Sequence, residues 1–353
     1  RIPAILAAFL LLLALALLLA FSLRTGLPGE PSPAGAESHG SIQVYFSAPG
    51  SAAAQSLRGG PDAPLAAAIA DAQQSVDMAI YDLDLWSVRD ALLAAHRRGV
   101  QVRLVTEKNN AQNPEIAELE LAGVPVVVDG ESGLMHHKFV VIDGQAVWTG
   151  SMNLTVNGAY RNDNNLVLIR SPHLAANYLR EFEEMFLERR FGPRSRRDTP
   201  YPSLRVSGDL VEVAFSPEDG ALERMLPYLR AAQSSIRMMA FTLTADPLAE
   251  VLLERHAAGV HVSGVVEAAN VGAAGSDVPR LRREGIDLRL DGNPNSMHHK
   301  VLIIDGQIVI FGSYNFTRAA EEKNDENILI IHDPDLGRTF LIEFERVYRQ
   351  ALP

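Results

Sequence analysis

The sequence predicts an α/β protein built as two similar lobes behind an N-terminal apolar helix, and three observations carry that prediction. One phrase occurs twice, as "GLMHHKFVVIDGQAVWTGSMN" from Gly133 to Asn153 and as "NSMHHKVLIIDGQIVIFGSYN" from Asn295 to Asn315. Around each copy, amphipathic stretches alternate with short β-branched runs, the pattern of helices layered on a sheet. Ahead of both lies an almost wholly apolar segment, Ile2 to Leu23.

That segment is long enough to cross a hydrocarbon core of about 30 Å as a helix. It exceeds the apolar core of about 7–15 residues usual in a signal peptide, and the small-residue site Ala34-Gly35-Ala36 lies well beyond its end. Residues 1–24 are therefore expected to be a transmembrane anchor or signal segment, with the rest of the chain extracytoplasmic, or secreted if the segment is cleaved. Residues 25–40, rich in Pro, Gly, Ala and Ser, read as a flexible tether.

Residues 41–188 form the expected first lobe. Val88 to Arg98 is amphipathic, Val100 to Val105 and Val124 to Val128 are β-branched, and Asp143-Gly144 between "FVVI" and "AVW" is a tight-hairpin signal. A helix from about Pro172 to Glu188 closes this half. Residues 189–208 contain "RRFGPRSRRDTPYPS", basic and proline-rich, and read as the linker. Residues 209–353 repeat the plan: "AQQSVDMAIYDL" (Ala72 to Leu83) returns as "AQSSIRMMAFTL" (Ala232 to Leu243), Asp305-Gly306 supplies the hairpin, and a helix from Asp335 to Ala351 ends the chain. A repeat of about 160 residues fits a duplicated domain and is too long for a solenoid unit.

Composition narrows the function classes. Hydrophobic residues make up 47% and charged residues 21%, as in globular proteins, and the formal net charge of −11 opposes a broad basic surface gripping nucleic acid. With no cysteine, a disulfide framework, a thiolate zinc site and a cysteine nucleophile are excluded.

The repeated phrase carries the chemistry. It reads His136-x-Lys138, then Asp143, then Gly150-Ser151-x-Asn153, and again His298-x-Lys300, Asp305, Gly312-Ser313-x-Asn315. Strand alternation puts each His and Lys on one face and turns His137 and His299 to the other. Adjacent histidines so arranged cannot share a metal, and a neighbouring lysine repels a cation, so no metal site or cofactor is expected. One hairpin offers only half of an acid-base pair, and two copies facing each other complete it. One histidine attacks phosphorus while the other protonates the leaving oxygen. Lys138, Lys300, Asn153 and Asn315 can hold the non-bridging oxygens.

These residues resemble the phospholipase D superfamily, whose signature is HxKxxxxD followed by GSxN. The resemblance covers approximately residues 41–351. It implies two pseudo-symmetric α/β/α sandwich lobes with one active site at their interface, a phosphohistidine intermediate and metal-independent phosphodiester cleavage. Asp143 and Asp305 inherit a role supporting the histidine-lysine pair, though alone each Asp-Gly reads as turn chemistry. The tail of the second copy, "FTRAAEEKNDENILIIHD", resembles the compact bacterial nuclease and cardiolipin hydrolase branch, in which a carboxylate bonds the far nitrogen of the histidine. Glu326 holds that position, whereas the first copy has Asn164. The two histidines should therefore differ in pKa, with His298 the better-supported cation, while in two-lobed relatives the first-copy histidine is commonly the nucleophile.

Plainer roles suit other residues. His96 and His256 fall at predicted helix C-termini, where the helix dipole suits them. Glu107 and Glu267 close matched strands as cleft-lining or solvated groups, and Arg194 to Arg197 read as linker solubility. The apolar anchor and acidic balance favour a phospholipid phosphodiester at a membrane. The alternatives are an exported or surface nuclease and an inactive phosphate- or partner-binding module.

Overall fold

The structure, a computed structural model, describes residues 37–352. The segment Ile2 to Leu23 and the tether up to residue 36 lie outside the described residues. Among those described, no helix is long and apolar enough to cross a membrane.

Two eight-stranded sheets repeat one topology. The first contains β1 (Glu37–His39), β2 (Ile42–Phe46), β3 (Ser75–Ile80), β4 (Gln101–Thr106), β5 (Val126–Val128), β6 (Lys138–Ile142), β7 (Ala146–Gly150) and β8 (Asn165–Arg170), in the order β1-β2-β8-β7-β6-β3-β4-β5. The second contains β9 (Ser203–Val206), β10 (Asp209–Ser216), β11 (Ser235–Ala240), β12 (His261–Val266), β13 (Asp287–Leu290), β14 (Lys300–Ile304), β15 (Ile308–Gly312) and β16 (Glu326–His332), in the order β13-β12-β11-β14-β15-β16-β10-β9. These orders are the same sequence of equivalent strands. In each sheet the crossover strands are parallel, as β3 with β4, and the hairpin strands antiparallel, as β6 with β7. The segment 189–208 contains β9, which pairs with β10 and belongs to the second sheet.

The helices Pro172–Phe186 and Pro334–Gln350 join the sheets. Ser171 caps the first by accepting the Leu174 N–H, with Pro172 in the first turn where its missing N–H costs nothing. Its buried face, Leu174, Ala175, Tyr178, Phe182 and Met185, follows helical spacing. One core cluster contains these residues together with Phe139 and Val141 of the first sheet and Phe215, Val301, Phe340 and Phe344 of the second half. Separate clusters bury the outer face of each sheet under its own helices. The inner faces of the two sheets thus share one core.

The repeat breaks at a buried charge cluster in that core. In the second half, Glu343 accepts from Arg346 at 2.6 Å and faces His299 Nε2 at 3.1 Å, and Arg346 also reaches Asp163 at 2.5 Å. The equivalents in the first half are Glu181, His137, Asp325 and, in place of the arginine, Glu184. Glu181 lies 3.0 Å from His137 Nε2, but among the described residues no arginine or lysine pairs with Glu181, Glu184, Glu218 or Asp325. Burial, then the charge of Glu184, pushes the Glu181 carboxyl up to about 8. Burial, then Glu181, pushes Glu218 and Asp325 up as well. These acids keep protons that exposed carboxyls would lose.

A group that holds its proton in the folded chain and loses it in the unfolded chain makes stability fall as pH rises from the ordinary carboxylate range through the raised value. Thermal unfolding should show this loss between about pH 5 and 8. Glu184→Arg supplies the missing partner, and we expect it to flatten the loss and raise Tm by a degree or more, at about 1–2 °C per kcal/mol for a chain of this size. An unchanged pH slope in the variant would show that the cluster does not limit stability.

Candidate active site

Each repeated phrase enters its sheet through an extended segment. Met135 N–H donates to Glu107 Oε2 at 2.9 Å and Met297 N–H to Glu267 Oε2 at 2.8 Å, so a buried carboxylate fixes the backbone just before each histidine. The sequence left these glutamates between two roles, and the structure gives them a third, as anchors. Alternation then turns His137 and His299 into the shared core, onto Glu181 and Glu343. His136, Lys138, His298 and Lys300 face the junction between the halves, where all four are buried.

The lysines lie folded against their own hairpins. Lys138 Nζ donates to the His136 carbonyl at 2.6 Å and Lys300 Nζ to that of His298 at 2.7 Å. Each ammonium also lies over an aromatic ring, Tyr81 at 5.0 Å and Phe241 at 4.6 Å, and each ring meets its histidine edge-on. Sequence reasoning missed Tyr81 and Phe241, although they occupy matched positions in "AIYDL" and "MAFTL".

Support for the histidines crosses from one half to the other. Glu326 Oε2, at the start of β16 in the second sheet, lies 2.7 Å from His136 Nδ1. Asn164 Oδ1, in the first half, lies 3.0 Å from His298 Nδ1, with the Ser151 carbonyl at 3.1 Å. The backbone repeats the exchange: His136 N–H donates to Asp325 O, and His298 N–H to Asp163 O. This corrects the expectation that Glu326 backs the histidine of its own copy, so His136, not His298, is the carboxylate-supported ring. The start of each β16-type strand abuts the other half's hairpin, a pairing that linear spacing does not contain.

The remaining motif residues set up this exchange. Ser151 Oγ donates to Asn164 Oδ1 at 2.9 Å, and the equivalent Ser313 hydroxyl bonds Glu326 and accepts the Asn327 N–H at 3.0 Å. Gly150 and Gly312 are required beside them, since a Cβ would stand 2.4 Å and 2.0 Å from the carbonyls of Asn165 and Asn327. The Oδ1 atoms of Asn153 and Asn315 are buried without partners.

Asp143 and Asp305 are the exception. Both adopt left-handed φ, 52° and 53°, in the hairpin turn at the far end of the strand from the lysine. Asp143 accepts the N–H groups of Gln73, Gln74 and Ser75, and Asp305 those of Gln233, Ser234 and Ser235. Burial alone would raise these carboxyls, but the backbone bonds outweigh it and hold both below the ordinary carboxylate range. They clamp the hairpin to the preceding helix-strand loop, well away from the histidines. The aspartates thus take the turn reading and not the role beside the histidine-lysine pair. The linker arginines likewise have plain partners, with Arg194 meeting Glu131 and Arg196 meeting Glu188.

Charge in the junction is strongly coupled. Burial, then the lysine charges, pushes both His136 and His298 well below their ordinary value. Burial lowers Lys138 to about 7, and burial, then the charge of Lys138, pushes Lys300 well below its ordinary value. Burial raises Glu326 to about 7, against the pull of Lys138. With each Nδ1 held against an acceptor, each ring keeps its Nε2 lone pair: two nucleophile-ready imidazoles beside two lysine amines whose charged form burial disfavours until an anion arrives. Such a site suits a phosphate.

Comparison with known proteins agrees with this geometry. A family model described as "Cardiolipin synthase, PLD-like domain" matches residues 65–186 and 225–348. The mitochondrial cardiolipin hydrolase of Homo sapiens is 38% identical over 183 residues, covering 45% of this chain and 72% of that protein. The phospholipase D of Rickettsia bellii is 32% identical over 149 residues, covering 40% and 74%. Among solved structures, phosphatidylserine synthase from Haemophilus influenzae superposes with a TM-score of 0.64 at 16% identity, over 91% of this chain and 88% of that one, a likeness of fold. The two curated relatives each align with under half of this chain.

The clamp and the junction can be separated by mutation. Asp143→Ala should lower stability by about 1.5–3 kcal/mol, the range for hydrogen bonds to a charged group, and leave kcat within about threefold where the variant is folded. Chemical denaturation and steady-state rates on the same sample test this. Lost turnover at wild-type stability would return the aspartate to the chemistry.

Proposed function

The chain belongs to the family described as cardiolipin synthase, PLD-like domain, and from that premise we propose that it is a phospholipase D-type phosphodiesterase that hydrolyses phospholipids through a phosphohistidine intermediate. The observation that carries this reading is the exchanged support of two imidazoles, Glu326 on His136 and Asn164 on His298, which commits both halves to one reaction centre. Relatives named mitochondrial cardiolipin hydrolase and phospholipase D support the lipid substrate. The apolar segment Ile2 to Leu23 supports placement at a phospholipid membrane.

A bound phosphodiester lends its negative charge to the junction. It restores the protonated form of Lys138 and Lys300, which hold the non-bridging oxygens with help from the amides of Asn153 and Asn315, and it raises the proton affinity of His298. His136 Nε2 attacks phosphorus in line, and the P–O bond to the leaving alcohol breaks as His298 Nε2–H protonates that oxygen. The phosphoimidazole on His136 is cationic, and the Glu326 carboxylate facing its Nδ1–H stabilises it. Water then gives a proton to His298 and attacks phosphorus, the N–P bond breaks, and His136 and the protonated His298 are regenerated. Asn164 gives His298 an amide instead of a carboxylate, so its imidazolium is the stronger acid. That division makes His136 the nucleophile and His298 the acid-base group.

The full chain in detergent micelles with EDTA, offered phosphatidylcholine, cardiolipin and single-stranded DNA, should release headgroup or phosphatidate, and His136→Ala or His298→Ala should slow this about 10²–10⁴-fold. A rapidly quenched His298→Ala sample should carry a phosphatidyl group on His136. Cleavage of DNA alone would replace the lipid reading with the nuclease, and no turnover without an added divalent metal would exclude the mechanism.

The support residues give a second test. Asn164→Asp places a carboxylate behind His298, which should raise its pKa and move the alkaline limb of the kcat profile upward by about 1 unit. A profile that does not move would remove His298 from the proton transfer.

A further inference from the structure

The outer face of the first sheet carries a groove of about 660 Å³ between β2 and the helix Asp62–Asp71, remote from the junction. Its floor is Trp148 and Tyr45, stacked with centroids 5.6 Å apart, and its walls include Ala67, Ala68 and Leu168. Arg170 stands at the rim and forms no ion pair among the described residues. Trp148 is only 2% exposed, yet its Nε1–H has no acceptor.

The duplicated half shows what belongs there. Ala68 is equivalent to Tyr228, Gln43 to Glu212, Arg170 to His332 and Trp148 to Ile310, by the same register that matches Ala72 with Ala232 and Asn165 with Asn327. In the second half the Tyr228 ring lies edge-on to His332 at 5.0 Å and its hydroxyl donates to Glu212, leaving a hollow of about 340 Å³. The chain fills that groove with its own phenol. In the first half the ring is replaced by a methyl group, and the polar end changes sign: an acceptor, Glu212, becomes an amide, and a histidine becomes a permanently charged guanidinium. Tyr45 OH donates to Gln43 Oε1 at 2.8 Å, so the Gln43 amide nitrogen is left to donate. Asp143 at the other end has its carboxylate occupied by backbone N–H groups, and Asp71 is exposed at the edge.

We propose that this groove is a second ligand site that takes a small planar aromatic anion, its ring over Tyr45 and Trp148 where Tyr228 lies in the other half and its anionic group on Arg170 and Gln43. The size falls within the range of about 300–1,000 Å³ typical of small-molecule sites, and ring stacking with one charged anchor is the usual composition of such a site. The site is separate from the phosphodiesterase centre and does not depend on the reading of that centre.

Two tryptophans are present, Trp86 and Trp148, so Trp86→Phe makes emission report on the groove alone. Titrating the full chain in that background with 2-naphthoate should give saturable quenching. Ala68→Tyr, which fills the groove as Tyr228 fills its counterpart, should weaken binding at least about tenfold and leave phospholipid hydrolysis unchanged. Arg170→Gln should weaken 2-naphthoate about tenfold but not the uncharged 2-naphthol, and this arm decides the matter if Ala68→Tyr does not fold. Absence of saturation, equal affinity in Ala68→Tyr, or equal losses for acid and alcohol in Arg170→Gln would each overturn the proposal.

Discussion

Everything in the junction depends on positive charge held out of water with too little negative charge beside it. Lys138, Lys300, His136 and His298 are buried together, and among the described residues Glu326 is the one carboxylate within hydrogen-bond distance of a member of the set. Two unit charges 4 Å apart interact by about 4 kcal/mol at an effective dielectric of 20, so the four groups cannot all be charged at neutral pH. The depressed histidines and lysines express that limit. An anion entering the cluster relieves it, and in the proposed mechanism the same event supplies the general acid with its proton. Binding and catalytic protonation are therefore one electrostatic step.

This constraint also explains why the halves are inseparable. A hairpin alone would leave its histidine Nδ1 and its strand-end backbone N–H without partners, and buried groups of that kind cost about 1–3 kcal/mol each. The other half satisfies both, through Glu326 and Asp325 for His136 and through Asn164 and Asp163 for His298. The central core, with the helices Pro172–Phe186 and Pro334–Gln350 packed among residues of both sheets, fixes the distance at which this exchange closes. Side chains that do chemistry and side chains that hold the halves together are neighbours on the same strands: His136 beside His137, Glu326 beside Asn327.

Much of this was legible in the sequence because local periodicity encodes it. The hairpins follow from Asp-Gly between β-branched runs, the closing helices from capped amphipathic segments, and the opposed faces of His136 and His137 from strand alternation. What was illegible is what depends on contacts between distant segments. Glu326 lies near His298 in the chain and near His136 in space, because pairing across a pseudo-two-fold axis is not a property of spacing. Asp143 sits in the signature at fixed distance from Lys138, yet a five-residue strand carries it to the opposite end, where a left-handed turn residue binds three N–H groups instead of assisting a histidine. β9 was hidden in a basic, proline-rich stretch because its strand character comes from pairing with β10 and not from composition.

Fusion of two copies in one chain removes the requirement that both copies be the same, and the structure records three departures at increasing distance from the reaction centre. At the histidines, a carboxylate faces one ring and an amide the other, and in the proposed mechanism this separates the roles that a symmetric pair would have to share. Behind them, Arg346 neutralises a buried acid pair while its counterpart Glu184 adds to one, so Glu343 is held below its ordinary value while Glu181 is pushed up. On the outer face, Tyr228 closes a groove that Ala68 leaves open. In a symmetric dimer of identical chains each change would appear twice: two amides would leave neither histidine with a carboxylate, and two glutamates would leave both halves of the core with unpaired acids. Duplication within one chain confines each departure to one side, so the chain can specialise its histidines without losing the exchanged support on which both depend.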